Sequence, residues 1–149
     1  MKIAFVGAGS LVFTRKLVSD LLRQDATADA AFSLIDIHEG RLRDAQDSVE
    51  SLVRSTGRKP SVEATTSCQR GVSGADYVIN TIRVGGPEIT RIDFDVPECY
   101  GVHQTIADTH GIGGISRAFR TIPQVLQIAA EVERESRTPG SSTTPIPWQ

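Results

Sequence analysis

Apolar residues fall in short blocks along this chain, and their spacing changes from block to block. Lys2 to Val6 is a brief apolar run that stops at a glycine turn, the form of a buried strand. From Ser10 to Gln24, Phe13, Leu17 and Leu21 recur at every fourth position, which predicts a helix with that row buried. Phe32 to Ile37, FSLIDI, predicts a second strand. Over Glu39 to Thr56, Leu42, Ala45, Val49 and Leu52 keep helical spacing while Arg41, Arg43, Asp44 and Asp47 fall on the solvated side. GRKP, Gly57 to Pro60, is a turn, and Ser61 to Thr65 reads as a third strand. Cys68 to Gly74 is a short polar crossover before ADYVINTI, Ala75 to Ile82, a fourth strand. Strands alternating with helical segments predict a doubly wound parallel sheet.

The pattern then changes. Arg83 to Gly114 is long, rich in glycine, proline and polar residues, and reads as irregular. Ile89, Phe94, Val96, Tyr100, Val102 and Ile106 are its candidates for burial. Ile115 to Ser136 predicts a further helix, which Pro123 either kinks or restarts behind a Thr121 cap. The tail RTPGSSTTPIPWQ has no periodicity, and its prolines exclude a central strand, since proline lacks the ladder donor. The expected fold is α/β, with the sheet truncated after the fourth strand and the following helix.

Composition narrows the classes. A length of 149 residues suffices for one domain with a sizeable core, and not for a nucleotide domain plus a separate substrate domain. A formal net charge of −2 gives no electrostatic case for nucleic acid or an anionic membrane as partner. No apolar run approaches the roughly 20 residues that span a bilayer, so the expected location is cytoplasmic. Cys68 and Cys99 form no CxxC, and His38, His103 and His110 are scattered, so no metal site is expected within this chain.

Gly7-Ala8-Gly9 sits between a predicted strand and helix. Gly7 allows a tight turn, and Gly9 allows a pyrophosphate to approach the helix N-terminus. The third glycine of a GxGxxG fingerprint is replaced by Val12, and Ser10 offers a hydroxyl to phosphate or to the helix cap. Asp36 closes the second strand, further from the glycines than the usual spacing of about 20 residues. A carboxylate there can take both ribose hydroxyls, which favours NAD over its 2′-phosphorylated form; the alternative is a helix-capping Asp. Asn80 and Ile82 end the fourth strand, beside the expected cofactor crevice. Asp108, in QTIADTHGIGG, is either functional or a turn residue. Arg117 and Arg120 oppose the dipole of the last helix, which favours an anionic partner or a salt bridge, with plain surface charge the alternative.

The strings FVGAGSLVF, DYVINTIRVGG and DFDVPECYGVHQTIADTHGIGGISRAFRTIP resemble glycoside hydrolase family 4, in its α-galactosidase and α-glucosidase branch. The resemblance runs from Met1 to about Glu135. It implies a Rossmann-like fold and a requirement for NAD and a divalent metal, with manganese expected. It also implies a small glycoside substrate and homo-oligomers in intact members. The implied chemistry removes hydride from sugar C3, takes the acidified C2 proton with a base, and breaks the glycosidic bond by elimination. By resemblance, Gly7, Gly9, Ser10 and Asp36 bind NAD, and Asn80 and Ile82 lie beside it. Arg91 contacts substrate, and Asp108 supports the catalytic base. Pro87 and His110 depart from the family pattern.

The family's next segment, with an LNYTNP-like string, its metal ligands and its basic tyrosine, has no counterpart here. Residues 1–136 therefore read as an incomplete NAD-binding domain, with 137–149 a tail foreign to the family and the catalytic and metal domain absent. One choice of codons for the tail, read one base out of register, yields the family string. A frameshift near Arg137 is the resulting expectation, which the coding DNA tests. With no fifth strand, the fourth would be an exposed edge, and weak or no NAD binding, poor solubility and no turnover would follow. Two other readings stay open: an NAD-dependent dehydrogenase of the lactate or malate type, and a non-catalytic nucleotide-binding fragment.

Overall fold

The computed structural model describes residues 1–104, 111–136 and 144–147, with only the backbone described at 136 and 144–147. The chain divides into two compact units, the first formed by Met1–Ile82 with Ala129–Gln149, the second by Arg83–Ile128.

The first unit is the parallel sheet. Its strands are β1 (Lys2–Val6), β2 (Ala31–Ile35), β3 (Val62–Thr65), β4 (Tyr77–Asn80) and β5 (Thr144–Pro147). They lie in the order β3-β2-β1-β4-β5, and every pairing is parallel. The helices between them are α1 (Leu11–Leu22), α2 (Glu39–Thr56) and α3 (Cys68–Val72). Side chains alternate across the strands. Ile3, Phe5, Phe32 and Leu34 join Val18, Leu22, Leu42 and Val49 of α1 and α2 in one core cluster. Phe5 and Phe32 meet edge to face at 6.2 Å. Ile35 points to the other face, where α3 lies so close that a Cβ on Gly71 would meet the Ile35 side chain. The sheet is thus covered on both sides, as a doubly wound fold requires.

The α2 helix spans the predicted residues, but the buried row of α1 is shifted. Thr14, Val18 and Leu22 are buried, while Phe13, Leu17 and Leu21 flank them half-buried. Thr14 tolerates burial because its hydroxyl donates to the Ala8 carbonyl at 2.9 Å. In α2, Val53 takes the buried place expected of Leu52. The polar crossover is the short helix α3, capped by Ser67, whose side chain accepts from the Arg70 amide.

The fifth strand corrects the expectation of an open sheet edge. β5 pairs with β4 in register Tyr77↔Thr144 to Asn80↔Pro147. An edge strand bonds along one side only, and prolines at alternate positions leave their missing donors on a single side. The tail's prolines therefore exclude a central strand, as expected, but not the edge position it occupies, and β4 is not the edge of the sheet.

The second unit contains α4 (Gly86–Glu98) and most of α5 (Ile112–Ser136), whose last turns from Ala129 belong to the first unit. α4 corrects the irregular reading of this region. Gly-Gly-Pro reads as a loop, yet proline suits a helix's first turn and Glu88 suits its positive end. The buried positions of α4 are Asp93 and Pro97, so its inward row is not apolar and leaves no helical signature. Val96, Tyr100 and Val102, expected inside, are exposed, and Ile106 lies outside the described residues. α5 starts before Ile115 and continues through Pro123 without restarting at Thr121.

Candidate functional site

The sheet order reverses between β1 and β4, and in open parallel sheets ligands bind at the strand C-termini beside that point. The chain leaves β1 into Gly7, whose φ of +90° belongs to the left-handed region. A Cβ there would lie 2.9 Å from the Ile82 nitrogen and 2.9 Å from the Thr81 carbonyl carbon. Gly7 is fixed by both its conformation and its backbone contact with the end of β4. Its amide and that of Ala8 both donate to the Ile35 carbonyl, at 2.8 and 3.0 Å. The turn is thereby tied to β2 on one side. On the other, the Thr81 amide donates to the Val6 carbonyl at 2.8 Å.

Gly9 faces the end of β2. Its amide donates to Asp36 Oδ2 at 2.8 Å, and a Cβ would fall 2.5 Å from that oxygen. Any side chain at Gly9 would displace the carboxylate. The second Asp36 oxygen accepts from the His38 amide at 2.9 Å. An ionised carboxylate offers about four lone-pair positions, so both oxygens retain acceptor capacity for a pair of hydroxyls. The long interval between Gly9 and Asp36 is taken up by a run of turns between α1 and Ala30.

Ser10 is the N-cap of α1, but its side chain makes no capping bond, and it is exposed. Its hydroxyl is available to an anion at the helix's positive end. Val12 is 83% exposed, so the missing third glycine crowds nothing in this chain. Asn80 Oδ1 accepts from the Ile82 amide at 3.3 Å, both residues being half-buried.

The fold therefore brings Gly7, Gly9, Ser10, Asp36, Asn80 and Ile82 to one end of one sheet, all within the first unit. Arg91 is on α4 in the second unit, exposed and paired with Asp95 at 3.4 Å. Asp108 and His110 lie outside the described residues. Pro87 occupies the first turn of α4, a structural reason for its presence. Thr81 carries a role the sequence reading missed: its hydroxyl lies 3.1 Å from both the Val6 and Gly7 carbonyls, where it binds the glycine turn. A hydroxyl just past an apolar strand was the available signal. Arg41, placed on the solvated side, also brings its Cβ to 2.9 Å from where a Cβ on Gly9 would sit.

The second unit holds a buried ion pair. Arg120 of α5 donates to both oxygens of Asp93 on α4, one at 3.0 Å, and the Asp93 side chain is 4% exposed. This is the salt bridge expected for that helix turn. Gln104 extends it, donating to the Asp93 carbonyl at 3.2 Å and accepting from the Gly113 amide at 3.2 Å. Asp93 raises the Arg120 pKa by holding its charged form. Burial raises that of Cys68, with the Glu131 charge adding to the effect. Among the described residues no group of three His, Cys, Asp or Glu is placed to hold a metal. None of the described helices is long and apolar enough to cross a membrane.

Comparison with known proteins gives this geometry a family. An α-galactosidase of Bacillus subtilis is 41% identical over 133 residues, covering 89% of this chain and 31% of that protein. An α-galactosidase of Rhizobium meliloti is 37% identical over 140 residues, covering 94% and 28% respectively. The chain spans about a third of the length of these relatives. The fold matches a 6-phospho-β-glucosidase of Thermotoga maritima, solved with manganese, NAD+ and glucose-6-phosphate. That match has a TM-score of 0.82 at 28% identity and covers 98% of this chain and 34% of that one. The model of the family 4 glycosyl hydrolases matches residues 2–140, continuing into the segment set apart from residue 137 onward, and the chain belongs to that family.

Proposed function

We propose that the first unit binds NAD and that the chain is the cofactor-binding part of an α-glycosidase dependent on NAD and manganese. The observation carrying this reading is the Gly9 amide held on Asp36 Oδ2 at 2.8 Å, a contact so close that any side chain at Gly9 would break it. Such an arrangement suits a ribose on Asp36 and a pyrophosphate at the N-terminus of α1, just past the Gly7–Gly9 turn, whose own amides are taken by Ile35 and Asp36. The Ser10 hydroxyl donates to phosphate, while Asn80 and Ile82 border the nicotinamide half. When bound, NAD supplies reversible hydride acceptance at sugar C3, which acidifies the C2 proton and permits elimination of the leaving group. Arg91 is proposed to orient substrate and Asp108 to support the base. The metal is assigned to residues outside those described. α-Galactosides are the favoured substrates, on the strength of the two α-galactosidase relatives. The intact enzyme is proposed to be a cytoplasmic homo-oligomer, and the 149-residue chain by itself to be without turnover.

The test joins residues 1–136 to the remainder of the Bacillus subtilis α-galactosidase and supplies a nitrophenyl α-galactoside. Nitrophenol release that needs both NAD and manganese, with no net gain of reduced nicotinamide, is the expected result. Release without NAD would sink the proposal. So would reduced nicotinamide accumulating with a hydroxy acid, the signature of a dehydrogenase.

A further inference from the structure

Asp36 does more than follow β2. Its two oxygens accept from two backbone amides, Gly9 at 2.8 Å and His38 at 2.9 Å. Two amides converging on one small group make a seat for an anion, and here the chain's own carboxylate fills it. A phosphate oxygen accepts from backbone amides in the same way, so a carboxylate and a phosphate compete for this seat.

Arg41 stands beside it. A Cβ on Gly9 would lie 2.5 Å from Asp36 Oδ2 and 2.9 Å from Arg41 Cβ, so the Arg41 stem begins within side-chain reach of the carboxylate. Arg41 is nevertheless exposed, and among the described residues its guanidinium enters no ion pair. Glu39, in the same turn of α2, is taken by Arg43 at 3.1 Å. Between Glu39 and Arg41, Gly40 presents no side chain, and nothing from another segment lies within 4 Å of where its Cβ would be. The ground in front of this turn is therefore free for a bulky group. Gly9, Asp36, His38 and Arg41 all belong to the first unit.

A nearby arginine accommodates the 2′-phosphate of NADP, whereas a carboxylate at the end of the second strand takes the free 2′-hydroxyl of NAD. This chain holds both groups side by side. We infer that Arg41 is a specificity-determining residue held in check by Asp36: the Gly9 and His38 amides with the Arg41 guanidinium form a 2′-phosphate seat that the Asp36 carboxylate occupies and closes to NADP. Like charge repels the phosphate, and the carboxylate also takes the amides that the phosphate would need. The planar fork of Arg41 suits phosphate as lysine would not. The inference rests on the proposal that the first unit binds NAD.

The 149-residue chain is titrated calorimetrically with NAD and with NADP. Asp36→Ala frees both amides, and it is expected to raise NADP affinity by about tenfold or more while NAD affinity falls. Adding Arg41→Gln costs NADP about tenfold more than it costs NAD. Adding Arg43→Gln instead leaves the NADP gain in place. Circular dichroism matching the parent shows that each variant is folded, and Asp36→Ser, which keeps one acceptor for the amides, repeats the comparison where alanine fails to fold. No gain in NADP affinity, or a gain that survives Arg41→Gln, overturns the inference and leaves the NAD proposal standing. An equal loss of NAD and NADP on adding Arg41→Gln also overturns it, because Arg41 would then serve the adenosine common to both. A parent chain that binds neither dinucleotide defeats the NAD proposal itself, and this inference with it.

Discussion

At Gly7 two independent constraints meet, a left-handed backbone and a backbone contact with the end of β4. Alanine there is strained by φ and must also push Thr81 or Ile82 away. Gly7→Ala is predicted to destabilise the chain by more than about 1 kcal/mol, measured by urea denaturation. A change no larger than that of a solvent-facing substitution would contradict this placement. Asp36 was legible from its position at the end of an apolar strand after a glycine turn. What the sequence did not carry was its reach back to the Gly9 amide, because the intervening turns set that distance. Thr81 was hidden for a related reason: its hydroxyl acts on backbone carbonyls far away in the chain, and no local pattern records that.

At the scale of elements, legibility followed the chemistry of the buried row. α2 buries Leu42, Ala45, Val49 and Val53, and its extent was readable from their spacing. α4 buries Asp93 and Pro97, and its helix was not readable. Asp93 is sheltered by the planar fork of Arg120, which lysine cannot reproduce. Arg120→Ala is predicted to lower the melting temperature more than Arg43→Ala, which removes only an exposed pair with Glu39, and Arg120→Lys should fall between them. Equal melting temperatures for the alanine variants would show that the buried pair does not fasten α4 to α5. A second pair links β1 to β3. Lys2 Nζ lies 2.8 Å from Glu63 Oε1, and its hydrogen bond holds the Glu63 carboxyl below its ordinary 4.5. A carboxylate depressed in the folded state stabilises fully above its unfolded pKa and loses that contribution as pH falls through the folded value. Glu63 is half exposed, so the pair is worth at most about 1 kcal/mol. Glu63→Gln should therefore narrow the stability difference between pH 7 and pH 3 slightly, as read from denaturation midpoints. A widened difference would reverse the assignment.

For the whole molecule, the order of strands and helices was readable because strand and helix periods alternate cleanly up to Ile82. The fifth strand was not, since prolines at Pro145 and Pro147 are compatible with an edge position that only the assembled sheet defines. The division into two units matters to function. Every residue assigned to NAD belongs to the sheet unit, whereas Arg91 does not. The proposed NAD site can therefore be tested apart from the proposed substrate contact. Loss of the open-edge argument also removes the ground for expecting the sheet to bind NAD weakly. The measurement that bears most directly on this account is a calorimetric titration of the 149-residue chain with NAD, repeated with NADP and with Asp36→Ala. The account predicts one NAD per chain, weaker binding of NADP, and at least a tenfold loss of NAD affinity in the variant. An absence of NAD binding, or an affinity indifferent to Asp36, would contradict it.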